Sequence, residues 1–331
     1  MIVSAIADPS IFGPVVVTDE LTSREIVALL RGILQNGVLL CDPSRQLLRD
    51  AMTEADALVK QPGGTQRGQR ISLILQEIYK QHKKYIVSCE EAKWKAANPS
   101  TVTEQIIVLH AHLQADVVIA PVDRHAALKR GMLSKPVEVV APQDISLSRY
   151  ESLRIRIAAP DKPLDEMSLA ELEEHVGRAV KYCCMLRIYD YRMVARPRST
   201  IKYRDGIQFV LAIWAKWCVV GGSSSRTAEL YTVGNTQTQD GFLTGADAKA
   251  RLDNDIVAPV KAAGSCHSTG HVMDDSPRIF HARGFEAKRR AFLIDPGFDA
   301  LGTSGPVRRC LLKADLAAEK HFEQCRTLRS V

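Results

Sequence analysis

The chain has no CxxC pair: its eight cysteines, Cys41, Cys89, Cys183, Cys184, Cys218, Cys266, Cys310 and Cys325, are scattered, several of them inside apolar stretches. That spacing excludes a disulfide scaffold and a zinc ribbon, and it reads as the pattern of a reducing compartment. No run approaches the ~18 apolar residues of a membrane span. The first residues carry no basic stretch and meet Asp8 and Pro9 at once, so no signal peptide is expected. A soluble, cytoplasmic protein without a membrane span is the expectation. The GxSxG element of serine hydrolases is missing, as are the glycine fingerprint of dinucleotide-binding folds, any internal repeat and any low-complexity tract.

What is present is ordinary globular material: 331 residues, 46% hydrophobic and 25% charged, with a mild basic excess of +6. That length suits two domains, each able to bury its own core. Helix starts are marked by Thr22-x-x-Glu25, Thr101-x-x-Glu104 and Ser168-x-x-Glu171, three capping-box patterns followed by apolar residues at helical spacing. Short apolar strands are expected at 38–41, 84–89, 117–120 and 137–140, with a helix at about 69–82 preceded by a flexible basic loop over 61–70. Helices alternating with near-continuously apolar strands imply an α/β fold with a parallel sheet covered on both faces. Pro142, Pro160 and Pro163 punctuate a polar stretch, so the boundaries read as a domain over 1–148, a linker over 149–166 and a second α/β domain over 167–331. In the second half, helices at 168–183, 204–217, 245–262 and 313–328 alternate with strands at 184–190, 228–233, 278–283 and 291–295.

Four aspartates before Arg149 stand beside short apolar runs: Asp8, Asp42, Asp116 and Asp144. In an open α/β sheet, ligands bind beyond the carboxyl ends of the strands. Carboxylates delivered there from separate strands form a hard oxygen set suited to Mg²⁺ or Mn²⁺, ions that activate water for phosphodiester hydrolysis.

The motifs Ala7-Asp8-Pro9-Ser10-Ile11-Phe12, Ala115-Asp116-Val117-Val118-Ile119-Ala120 and Val139-Val140-Ala141-Pro142-Gln143-Asp144 resemble those of PIN-like nuclease domains, over roughly 1–148. The resemblance implies a metal-dependent nuclease in which Asp8 and Asp116 hold divalent ions with Asp144 in support. The middle acid stays open among Asp42, Asp50, Glu54 and Glu90.

In the second half, Phe280-His281-Ala282-Arg283 precedes Ile294-Asp295-Pro296-Gly297-Phe298-Asp299, and Tyr189-Asp190-Tyr191-Arg192 ends an earlier strand. This order resembles the phospholipase-D-like domain at the C-terminus of microtubule-interacting-and-trafficking (MIT) proteins. In active phospholipase-D-like enzymes a histidine attacks phosphorus while lysine neutralises charge. Here the resemblance implies that His281 is the nucleophile, with Arg283 where lysine would be. A single such element implies either a homodimer or phosphate binding without catalysis.

Arg187, Arg192, Arg196, Arg198, Lys202 and Arg204, interleaved with Tyr189, Tyr191 and Tyr203, suit nucleic acid, because arginines neutralise phosphates and tyrosines stack on unpaired bases. Arg283 and Arg290 belong to a second basic cluster. His267 and His271 read as incidental histidines in a loop, since Gly270 argues against a zinc-binding helix.

The expectation from sequence is therefore a metal-dependent nuclease acting on RNA or DNA with Mg²⁺ or Mn²⁺, by analogy a prokaryotic defence or toxin-like effector. Its metal ligands would be Asp8, Asp42 and Asp116 with Asp144 or Glu90 in support. The nucleic-acid contacts would be Arg187, Arg192, Arg198, Lys202, Arg283 and Arg290. Two rivals stand beside it: a non-catalytic protein that binds nucleic acid or a partner, and a metal-independent phosphodiesterase acting through His281. The sequence leaves room for a homodimer and for a regulatory partner protein.

Overall fold

In the computed structural model, five short strands of the first half lie side by side, all parallel: β1 (Val3–Ala7), β2 (Gly37–Cys41), β3 (Ile86–Ser88), β4 (Val117–Ile119) and β5 (Glu138–Val140). The structure describes residues 2–158, 168–195, 197–221, 225–238, 241–263, 266–275, 280, 283–288, 290–295, 297–301, 311–314 and 316–331. The chain divides into two compact units, Ile2–Ala159 and Pro160–Val331.

In the first unit the strand order is β3-β2-β1-β4-β5. The chain winds outward from β1 in one direction and then in the other, so a switch point lies between β1 and β4. Every residue of β1 and β2 is buried. The covering helices are α1 (Glu20–Asn36), α2 (Gln46–Val59), α3 (Thr65–Lys80), α4 (His82–Tyr85), α5 (Glu91–Ala97), α6 (Val102–Leu113), α7 (His125–Gly131) and α8 (Arg149–Ala158). Ile26, Leu30 and Ile33 of α1, with Ile71, Leu75 and Ile78 of α3, join the β1 and β2 side chains in one core. Each such side chain contributes about 1.5–3 kcal/mol by leaving water.

Three local expectations are corrected. Thr22 does not cap α1; the Asp19 side chain does, accepting from the Thr22 N–H at 2.7 Å, and Glu25 instead accepts from Ser146 N–H at 2.8 Å. The basic segment over 61–70 is not all loop, because α3 begins at Thr65. Residues 149–158, expected as linker, form α8, which buries Tyr150 and Leu153 in the first core. The Thr101–Glu104 and Ser168–Glu171 capping boxes are both present.

In the second unit, α9 (Leu169–Val180) leads into β6 (Met185–Tyr189), followed by α10 (Pro197–Trp217), β7 (Thr227–Gly234), the small hairpin of β8 (Thr236–Thr238) and β9 (Gly241–Leu243), α11 (Gly245–Arg251) and α12 (Ala258–Ala262). Then come β10 (His267–Asp274), β11 (Gly284–Ala287), β12 (Arg290–Asp295), β13 (Leu311–Ala314) and α13 (Leu316–Thr327). The sheet order is β10-β7-β6-β11-β12-β13, parallel across β10, β7 and β6 and antiparallel through β11, β12 and β13. His267 and His271 sit on a strand, not in a loop. Of the strand expected at 278–283 only Phe280 and Arg283 lie among the described residues, and β11 follows them at Gly284–Ala287. Among the described residues no helix is long and apolar enough to cross a membrane.

Candidate functional site

Register decides which acids of the first unit share an edge. Ala7 is level with Ile119, and Ile119 with Val140, while Cys41 is level with Ser88. Asp8 and Asp42 therefore leave the carboxyl ends of two adjacent strands. Glu90 and Asp144 follow the ends of β3 and β5 on the same edge, both exposed, and Glu90 pairs with Lys93 at 3.1 Å. Asp116 is elsewhere. It precedes β4, its N–H bonds the Ser4 carbonyl at 3.0 Å, and its Oδ2 accepts from the Ser4 N–H and hydroxyl, both at 2.8 Å. Along β1, Ser4 lies four residues before Asp8, a rise of about 13 Å at the usual strand pitch. Asp116 thus cannot share a cation with Asp8 and Asp42, and that expectation is corrected: the acid opens its strand instead of closing it.

Neither remaining acid presents an open donor set. Asp8 Oδ1 accepts from the Ser10 N–H at 3.0 Å and the Ser10 hydroxyl at 2.7 Å, capping a short turn whose first residue, Pro9, has no N–H to satisfy. Asp8 Oδ2 is ion-paired with Arg124, a partner the sequence reading missed. Asp42 caps α2: its oxygens accept from Gln46 N–H at 2.9 Å, Leu47 N–H at 3.0 Å and the Ser44 hydroxyl. Glu54 packs against Gly13, and Asp50 accepts from Gln46 Nε2 at 2.7 Å. Among the described residues no three His, Cys, Asp or Glu side chains are grouped so as to hold a metal ion. Asp8 and Asp42 are thus already engaged by the chain itself, Asp8 by Arg124 and Ser10 and Asp42 by the start of α2.

The second unit holds a denser cluster, at the carboxyl end of β6. Asp190 follows Tyr189 and is fully buried. Antiparallel pairing of Gly284 with Tyr189 brings the segment before β11, with Arg283, to the same end. Gly297 and Asp299, beyond β12, close over it. Gly297 has φ 142°, and a β-carbon there would stand 2.8 Å from Asp190 Oδ2, 3.0 Å from Arg283 Cδ and 3.2 Å from Asp299 Oδ1. Glycine is required on both counts. Asp190 Oδ1 accepts from the Arg192 N–H at 2.9 Å. Asp190 Oδ2 and Asp299 Oδ1 are buried without a hydrogen-bond partner among the described residues.

Burial pushes the Asp190 carboxyl up to about 7, and the nearby Asp299 charge adds to it; the Arg192 N–H and the Arg283 guanidinium oppose the rise. Burial and the same two carboxylates also push the Tyr203 phenol above its ordinary value. Above the pair, Arg283 Nη2 donates to the Tyr191 hydroxyl at 2.9 Å. The guanidinium carbons of Arg283 and Arg192 stand 4.9 and 5.1 Å from the Tyr191 ring centre. A perturbed carboxyl beside a second acid and a guanidinium makes this cluster the candidate site of the second unit.

The expected nucleic-acid contacts divide accordingly. Arg192 and Arg283 belong to this cluster, and Lys202 is exposed on α10. Arg187 is committed elsewhere, bonding Glu229 at 2.7 Å and Glu286 at 3.1 Å, and Arg290 is 3% exposed. Arg187 is thus held between two glutamates across the sheet, and Arg290 is buried. His281 and the Arg198 side chain lie outside the described residues. Sequence reading missed Tyr203 as a partner of the acids. Asp299 stood in the quoted Gly-x-Asp turn, which was its signal.

No known protein family, curated protein or solved structure matches the chain.

Proposed function

We propose that the chain is a phosphodiester-directed enzyme of nucleic acid whose reaction centre is the second unit's cluster of Asp190, Arg283 and Asp299. One observation carries the reading: Arg283 stands beside the buried Asp190 and the half-buried Asp299, at a glycine where the three side chains converge, and burial raises the proton affinity of Asp190.

In this reading Arg283 neutralises charge on the phosphoryl group, the role suited to a planar, always-charged fork. Arg192 and Tyr191 extend the contact toward the flanking chain, the guanidinium to phosphate and the ring to a base. Asp190, protonated below about 7, donates its proton to the leaving oxygen, and Asp299 keeps that proton in place by disfavouring a second negative charge. The sequence resemblance names His281 as nucleophile, two residues before Arg283 in the chain. Its nitrogen bonds phosphorus as the leaving P–O bond breaks, and water then hydrolyses the phosphohistidine, its proton returning to Asp190. The proposed reaction needs no divalent ion.

The test is cleavage of single-stranded RNA and DNA by the full chain in excess chelator. Activity that persists there and is lost in Arg283→Ala and His281→Ala supports the proposal. Binding without cleavage, undiminished in both variants, favours a binding protein instead.

A further inference from the structure

Asp8 lies at the place where a doubly wound sheet receives its ligand. Its N–H bonds the Ile119 carbonyl at 2.9 Å, tying the end of β1 to the end of β4 across the switch point. Its side chain is 1% exposed, too deep to remain charged without compensation. The compensation comes from within the chain. Arg124, in the short turn Val122–Arg124 that follows β4, pairs with Oδ2 through Nη1 while 32% of its own side chain stays exposed. Serine donors fill Oδ1.

We infer that Arg124 is the resident cation of the first unit's switch-point edge, holding at Asp8 the position a divalent ion would need and so keeping a metal from it. Two features reinforce one another. Pairing with a fixed guanidinium satisfies the charge of Asp8, so a second cation on the same carboxylate would meet Arg124 at short range. The adjacent strand end offers no substitute, since both oxygens of Asp42 are spent on α2 and Ser44. Mg²⁺ and Mn²⁺ can bind through one or two carboxylates with water completing the shell, so release of Asp8 from Arg124 is what would admit an ion at this edge.

The inference is independent of the second unit, and its readout is metal binding, not cleavage. Mn²⁺ titrated into the full chain is followed by the loss of its free electron-paramagnetic-resonance signal. Three proteins are compared: the unmodified chain, Arg124→Gln, which keeps a hydrogen bond to Asp8 without the charge, and Arg124→Gln combined with Asp8→Asn. The unmodified chain is expected to leave the signal of free Mn²⁺ unchanged. Arg124→Gln is expected to gain bound Mn²⁺, and the double variant to lose that gain. Circular dichroism confirms that each variant is folded, and Arg124→Lys, which retains the charge, serves as the control that should not bind. Mn²⁺ bound by the unmodified chain and lost in Asp8→Asn would overturn the inference. So would an Arg124→Gln protein that is folded and still takes up no Mn²⁺.

Discussion

Asp190 and Asp299 turn unpartnered oxygens toward the same face of Gly297, within 2.8 and 3.2 Å of where a β-carbon would stand. The two carboxylates come from segments more than a hundred residues apart in sequence, the end of β6 and the turn beyond β12. Burial, with the nearby Asp299 charge adding to it, raises the proton affinity of Asp190 and gives the cluster a pH response.

An acid held above its ordinary value binds more protons in the folded chain than in the unfolded one, so stability falls as pH rises. The contribution of Asp190 is intact below 3.8 and is lost as pH climbs through about 7. Asp190→Asn is therefore expected to flatten that slope and to stabilise the fold above neutrality by about 1–3 kcal/mol, the usual cost of a buried polar group left unsatisfied. Urea melts at about pH 5 and about pH 8 would measure it. A slope unchanged by the substitution would show that another group titrates.

Gly297→Ala is expected to destabilise the second unit by about 1–3 kcal/mol, through a backbone angle that side chains rarely adopt. The new methyl would also displace the Asp190 carboxylate and Arg283, so cleavage should fall further than stability alone accounts for. Activity assayed well below the melting temperature separates the two effects.

Arg283→Ala is expected to reduce cleavage by about 10²–10³-fold, as removal of a charge-stabilising donor does. Arg187→Ala is expected to leave cleavage unchanged and to cost about 1.5–3 kcal/mol of stability, because Glu229 and Glu286 lose their shared partner. Parallel melts and cleavage assays should show opposite rankings.

Asp42→Ala removes the acceptor of two helix N–H groups and is expected to cost about 0.5–2 kcal/mol without altering cleavage. Asp116→Ala should behave alike, since it removes the carboxylate that accepts from the Ser4 N–H and hydroxyl. Loss of cleavage in either, in a folded protein, would return these acids to a chemical role.

Much of the scaffold was legible because buried parallel strands are written as short apolar runs, and Val38–Cys41 and Val117–Ile119 are such runs. The misplacement of Asp116 was also legible in retrospect: Asp8 and Asp42 follow their runs, whereas Asp116 precedes its own, which puts it at the opposite end of a parallel sheet. His267 and His271 were ambiguous on spacing alone, since residues four apart share a face on a helix and on a strand. Thr269 and Val272 between and beyond them favour the strand that is found. Arg187 looked available because its partners, Glu229 and Glu286, reach it only through sheet pairing. Arg124 was hidden for a similar reason, as no periodicity fixes the direction of a residue in a short turn beyond a strand.

The most direct measurement is cleavage of end-labelled RNA and DNA by the full chain in excess chelator, with Arg283→Ala and Asp8→Ala run in parallel. Cleavage that survives chelation, collapses in Arg283→Ala and continues in folded Asp8→Ala is expected. Cleavage that requires Mn²⁺ and disappears in Asp8→Ala would contradict it, moving the chemistry to the first unit.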